Sequence, residues 1–171
     1  MKIREIKSRI RKECAFLNPV LLGICAGFAV LLGALFTTSL AGRVPGFFLP
    51  RTALPSFLHI LFQLISYAIL GVVFAALLKA PLCKRTLRLQ RKSSLLLCAC
   101  ILILCYVWIP LVCKASSYFL GALLCGVILT AVAVLFFLSY RISVISAGFL
   151  ILFALWMLYI LYITLSFLLF C

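Results

Sequence analysis

Residues 54–78 read LPSFLHILFQLISYAILGVVFAALL. A proline opens the stretch and an apolar run follows, long enough to cross a hydrocarbon core of about 30 Å as a helix. Polar groups recur inside it at His59, Gln63 and Tyr67. On a helix these i, i+4 and i+8 positions share one face within about 80° of arc. Polar side chains at membrane depth are costly unless they meet a partner or a cavity. This face is therefore the first place to look for function, and the run that carries it marks the chain as a membrane protein.

Composition agrees. Of 171 residues, 68% are hydrophobic and 11% charged, far from the balance of a soluble domain. The net charge is +14, from 16 Lys and Arg against 2 acidic residues. Because the cations sit between apolar runs, anionic lipid headgroups are the expected partner and nucleic acid is not. Glu5 and Glu13 are the only carboxylates, and His59 is the only histidine. No carboxylate pair can work inside the membrane, and no Ser-His-Asp set can be assembled. No catalytic residue is assigned, and an enzyme is the least favoured class. The nine cysteines fall mostly in apolar runs without a C-x-x-C pair. They are expected to pack as small hydrophobes, and no metal site is assigned.

The chain divides into a basic segment, 1–17, and a membrane domain, 18–171, with spans expected at about 20–39, 57–78, 95–112, 118–138 and 147–170. The first segment reads either as an amphipathic helix on the membrane surface or as a solvated tail. Ser39-Leu40-Ala41 resembles a signal cleavage site, but the preceding apolar run exceeds a usual signal-peptide core, so a retained span is expected. Gly23 and Gly27 form a small-xxx-small pair, used either within the chain or in a dimer. The connection 41–55 holds three prolines and the apolar Phe47, Phe48 and Leu49, which either anchor at the interface or close over a pocket. Six Lys and Arg precede the first span and six lie between the second and third, against two, one and one in the other connections. The positive-inside rule then puts the N-terminus in the cytoplasm and the long first loop outside. The fold class expected is an all-α integral membrane bundle of five antiparallel helices.

Several residues carry a family resemblance. Leu49-Pro50-Arg51-Thr52-Ala53-Leu54-Pro55-Ser56-Phe57, continuing to Gln63, Tyr67, Leu70 and Gly71, is similar in register to the first loop and second helix of the TspO/MBR family, the tryptophan-rich sensory and translocator proteins. Tyr106-Val107-Trp108-Ile109-Pro110 resembles that family's third-helix W-S-P motif. Phe153-Ala154-Leu155-Trp156-Met157-Leu158-Tyr159 resembles its fifth-helix motif. The departures are Thr52, Phe57 and Gln63 in place of tryptophans, Leu49 in place of lysine and Cys105 in place of asparagine.

The resemblance implies a receptor or sensor in a bacterial cytoplasmic membrane. It would bind a flat amphipathic ligand such as a porphyrin, a haem-like tetrapyrrole or a sterol, and it would form a homodimer. No cofactor is required, and porphyrin or haem enters only as ligand. Candidate ligand-binding residues are Phe57, His59, Gln63, Tyr67, Trp108, Phe153, Trp156 and Tyr159, with Phe47, Phe48, Pro50 and Pro55 as a lid. Several have a plainer use: His59 as an interfacial histidine, Gln63 and Tyr67 as glue between helices, Trp108 as a belt residue, and Trp156, too deep for a belt, as core. Two alternatives stand beside the receptor. A small transporter lacks acidic residues for ion coupling and clear inverted repeats. A structural bundle would have no ligand cavity.

Overall fold

A computed structural model describes residues 18–41, 55–80, 85–113 and 117–170. They form five helices: α1 (Pro19–Ala41), α2 (Ser56–Lys79), α3 (Arg85–Cys113), α4 (Tyr118–Ile142) and α5 (Val144–Phe170). No strand occurs among the described residues. Four helices contain stretches long and apolar enough to cross a membrane: Phe57–Lys79, Leu87–Trp108, Tyr118–Ile142 and Val144–Leu169. α1, with 23 residues, reaches about 35 Å at 1.5 Å per residue.

The helices do not pack in chain order. α2 touches α1, α3 and α5, while α4 lies between α3 and α5 and α1 also reaches α3. Around the bundle the order is therefore α1, α2, α5, α4, α3. The inward face of α4 shows how the sequence builds this. Gly121, Cys125, Ile128, Val132, Leu135, Ser139 and Ile142 are buried at alternating spacings of four and three, the period that keeps one seam against its neighbours. Between them Phe119, Leu123, Val134 and Phe137 stay exposed, Phe137 at 71%. Such a belt of large apolar side chains suits hydrocarbon and not water.

Two glycines let α2 approach α1 closely. A Cβ on Gly71 would lie 2.5 Å from the Cys25 carbonyl oxygen and 2.7 Å from Ala26 Cα, and one on Gly33 would overlap the Tyr67 ring. Gly23 and Gly27 differ: among the described residues nothing lies within 4 Å of their Cβ positions, so packing among those residues does not use that pair. Tyr106 ties α3 to α1 by donating its hydroxyl to the Ala29 carbonyl at 2.7 Å. Tyr106→Phe should cost about 1 kcal/mol of stability in a detergent denaturation series; a variant as stable as the parent would show that this bond contributes nothing.

Three helix boundaries differ from the sequence expectation. α3 begins ten residues before its expected span, because Arg, Leu, Gln and Lys favour helix. Ser93 and Ser94 do not break it, since their hydroxyls donate back to Leu89 and Gln90 carbonyls at 3.3 and 2.9 Å. The helix also runs through Pro110 to Cys113. Between α4 and α5 the expected turn shrinks to one extended residue, Ser143, with φ −144° and ψ 119°. Its N–H donates to the Ser139 carbonyl at 2.7 Å, and its Oγ accepts from the Ser146 N–H at 3.2 Å, so it ends one helix and caps the next.

Candidate functional site

The polar face of α2 is held by its own start. Pro55 takes a φ of −50° and a ψ of 143° just before the helix, and its carbonyl accepts the His59 N–H at 3.0 Å. His59 therefore sits on the first turn, directly after the 42–54 connection. One and two turns further in come Gln63 and Tyr67, both buried.

From these residues a hydrogen-bonded chain crosses to α5. Trp156 Nε1 donates to Gln63 Oε1 at 3.0 Å, and Gln63 Nε2 donates to Tyr67 Oη at 2.9 Å. An indole nitrogen can only donate, so it orients the amide with its oxygen toward α5 and its NH2 toward Tyr67. Tyr67 is fully buried at 0% exposure, with its ring edge-on to Tyr106 at 5.1 Å. The chain thus couples four helices: α5 through Trp156, α2 through Gln63 and Tyr67, α3 through Tyr106, and α1 through Gly33 and Ala29.

Aromatic rings gather in front of the amide. The His59 ring lies 5.4 Å from that of Trp156 and 6.2 Å from that of Tyr159. Trp156 and Tyr159 are 5.1 Å apart, and Phe62 stacks on Trp156 at 5.5 Å with 27° between planes. His59 Nδ1 is buried and makes no hydrogen bond among the described residues. The arrangement offers flat apolar walls, one unused polar ring atom and an amide clamped between two aromatic side chains. Among the described residues no three His, Cys, Asp or Glu side chains converge.

The candidates of the sequence analysis separate accordingly. His59, Gln63, Tyr67, Trp156 and Tyr159 come together. Phe57 is 73% exposed and stands outside the ring cluster, whereas Phe153 is fully buried in the core. Trp108 packs elsewhere: with Val112 and Thr164 it surrounds the position of Gly121, its Nε1 3.7 Å from where a Cβ there would lie. Pro55 is exposed at the head of α2. Phe47, Phe48 and Pro50 lie outside the described residues. Two contributors were missed, Phe62 and Tyr106. Phe62 precedes Gln63 and follows His59 by three, so it flanks the polar face, and Tyr106 is a polar aromatic inside the apolar run of α3.

A family model for the TspO/MBR family matches residues 20–169. The chain belongs to the TspO/MBR family. No curated protein and no solved structure matches it. As a TspO/MBR protein it is an integral membrane protein, and the match takes in all five helices almost end to end. The register noted above sets Gln63 where the TspO/MBR pattern has a tryptophan. In this chain that position accepts a hydrogen bond from Trp156 of the fifth helix.

Proposed function

We propose that this chain is a TspO-like receptor or sensor for a flat amphipathic small molecule, a porphyrin, a haem-like tetrapyrrole or a sterol-like lipid. The observation that carries this reading is the amide of Gln63 clamped by Trp156, with the rings of His59 and Tyr159 beside it. Flat apolar ligands favour aromatic walls with a few polar groups that fix orientation. The site follows directly on the first loop, and the basic ends of α2 and α3 lie at the opposite end of α2. The positive-inside rule then supports a cytoplasmic basic end and an outward-facing site, and residence in a bacterial cytoplasmic membrane belongs to the same TspO-like reading. A homodimer fits the open face of Gly23 and Gly27 on α1. Haem or porphyrin is a ligand in this reading and not a resident cofactor.

Titrating the detergent-solubilised protein with protoporphyrin IX while following tryptophan fluorescence tests the proposal. The Trp108→Phe variant should show saturable quenching of Trp156 at micromolar ligand. The Trp156→Phe variant, whose remaining Trp108 packs from α3 toward Gly121 of α4, should show much weaker quenching. Linear quenching of both without saturation would mean partitioning into detergent. The full burial of Tyr67 and Phe153 favours a second reading, a solid bundle without ligand, and that is the outcome it predicts.

A further inference from the structure

α3 begins ten residues ahead of the uncharged apolar run that starts at Leu95, and these first turns carry Arg85, Arg88, Arg91 and Lys92. It is fastened at two points. Arg91 Nη1 donates to the Leu78 carbonyl at 3.3 Å in the last turn of α2, and Gln90 Nε2 donates to the Leu138 carbonyl at 3.3 Å near the end of α4. Helix C-termini leave carbonyls without helical partners and carry partial negative charge, so the Leu78 carbonyl is a natural anchor. With 90 and 91 turned inward, Arg88 and Lys92 face out one turn apart. Lys79 and Arg141 are exposed at the ends of the same two anchoring helices. Leu89 and Leu96, 64% and 69% exposed, flank the two outward cations. Among the described residues there is no Asp or Glu, so no described carboxylate neutralises this collar.

We infer that the outward face of the α3 extension is a docking surface for anionic phospholipid headgroups. Cations one turn apart match lipid phosphates, and exposed leucines beside them match the acyl boundary, the division expected of a helix at a bilayer interface. A nucleic acid would share the charge but leave Leu89 and Leu96 in water. The clamps through Gln90 and Arg91 hold the face in place, so lipid binding here requires no folding step. The inference is independent of any ligand at the Gln63–Trp156 site.

Native mass spectrometry of the full chain in detergent, with equal amounts of phosphatidylglycerol and phosphatidylcholine, tests it. The parent should retain phosphatidylglycerol at least about fivefold over phosphatidylcholine, the factor equivalent to about 1 kcal/mol for one surface cation. The Arg88→Gln/Lys92→Gln variant should lose most of that preference, and Arg88→Lys/Lys92→Arg should keep it. Both changes lie on exposed positions, and an unchanged melting temperature confirms the fold. Equal retention of the two lipids by the parent, or an undiminished preference in the glutamine variant, overturns the inference. Displacement of bound phosphatidylglycerol by millimolar inorganic phosphate also overturns it, by assigning the cations to a free anion.

Discussion

Gly71→Ala is expected to destabilise the bundle by about 3 kcal/mol, the upper part of the range for overpacking a tight core. The new methyl group would meet backbone, with the Cys25 carbonyl oxygen at 2.5 Å and Ala26 N at 2.8 Å. Backbone cannot rotate away as a flexible side chain can, so α1 and α2 must separate. That separation loosens Tyr67 against Gly33 and, through α2, the placement of Gln63. Gly126→Ala is the control, because among the described residues nothing lies within 4 Å of its Cβ position. Alanine there should be neutral or slightly favourable, since glycine costs up to about 1 kcal/mol in a helix interior. Both are read from the sodium dodecyl sulfate fraction at half-unfolding in mixed micelles. Equal midpoints for the two variants would show that the α1–α2 contact is not tight.

Much of the fold was legible because hydrophobic length and the distribution of Lys and Arg are local signals. Helix neighbours were not. Short connections make consecutive helices antiparallel but leave open which nonconsecutive ones touch, and the contact that builds the site, α2 on α5, is of that kind. The polar ladder of α2 stood out since each polar group in an apolar run is an exception that asks for a partner. Its partner, Trp156, was recognisable as a deep indole, yet the bond between them joins positions 93 apart in sequence.

Phe57 and Trp108 show where family register and helical phase compete. Phe57 aligns with a family tryptophan, but it lies two residues from His59, about 200° around the helix and on the opposite face. Its exposure follows from that angle. Trp108 likewise matches a family position, whereas Tyr106, two residues earlier, is the α3 side chain that reaches Tyr67 and Ala29. Phase along α3 sends these two aromatics to different neighbours, and only the helix order decides which neighbour is which. The α4–α5 corner was misjudged for a different reason. Ser139 and Ser143 read as turn residues, but in an apolar medium one serine closes both helix ends and no longer loop is needed.

Gln63→Leu should remove about 2 kcal/mol of stability and weaken protoporphyrin binding by at least about tenfold, the latter equivalent to about 1.4 kcal/mol. Leucine fills similar volume, so the loss is one of pairing and not of packing. Without the amide, Trp156 Nε1 has lost its acceptor and Tyr67 Oη its donor, both within the bundle. Water cannot replace them cheaply at that depth. A double-mutant cycle with Trp156→Phe separates the two bonds, because phenylalanine keeps an aromatic side chain but lacks the indole N–H. If the bond between Gln63 and Trp156 forms as described, the cycle should return a coupling of about 1 kcal/mol, with the remainder of the glutamine effect left in the Tyr67 arm. Ligand affinity then discriminates further. A site that uses the clamped amide loses affinity in Gln63→Leu even after correction for stability. A purely structural clamp loses stability alone and leaves the binding curve where it was. Additive losses in the cycle would sink the hydrogen bond itself, and with it the reason for placing the ligand between α2 and α5.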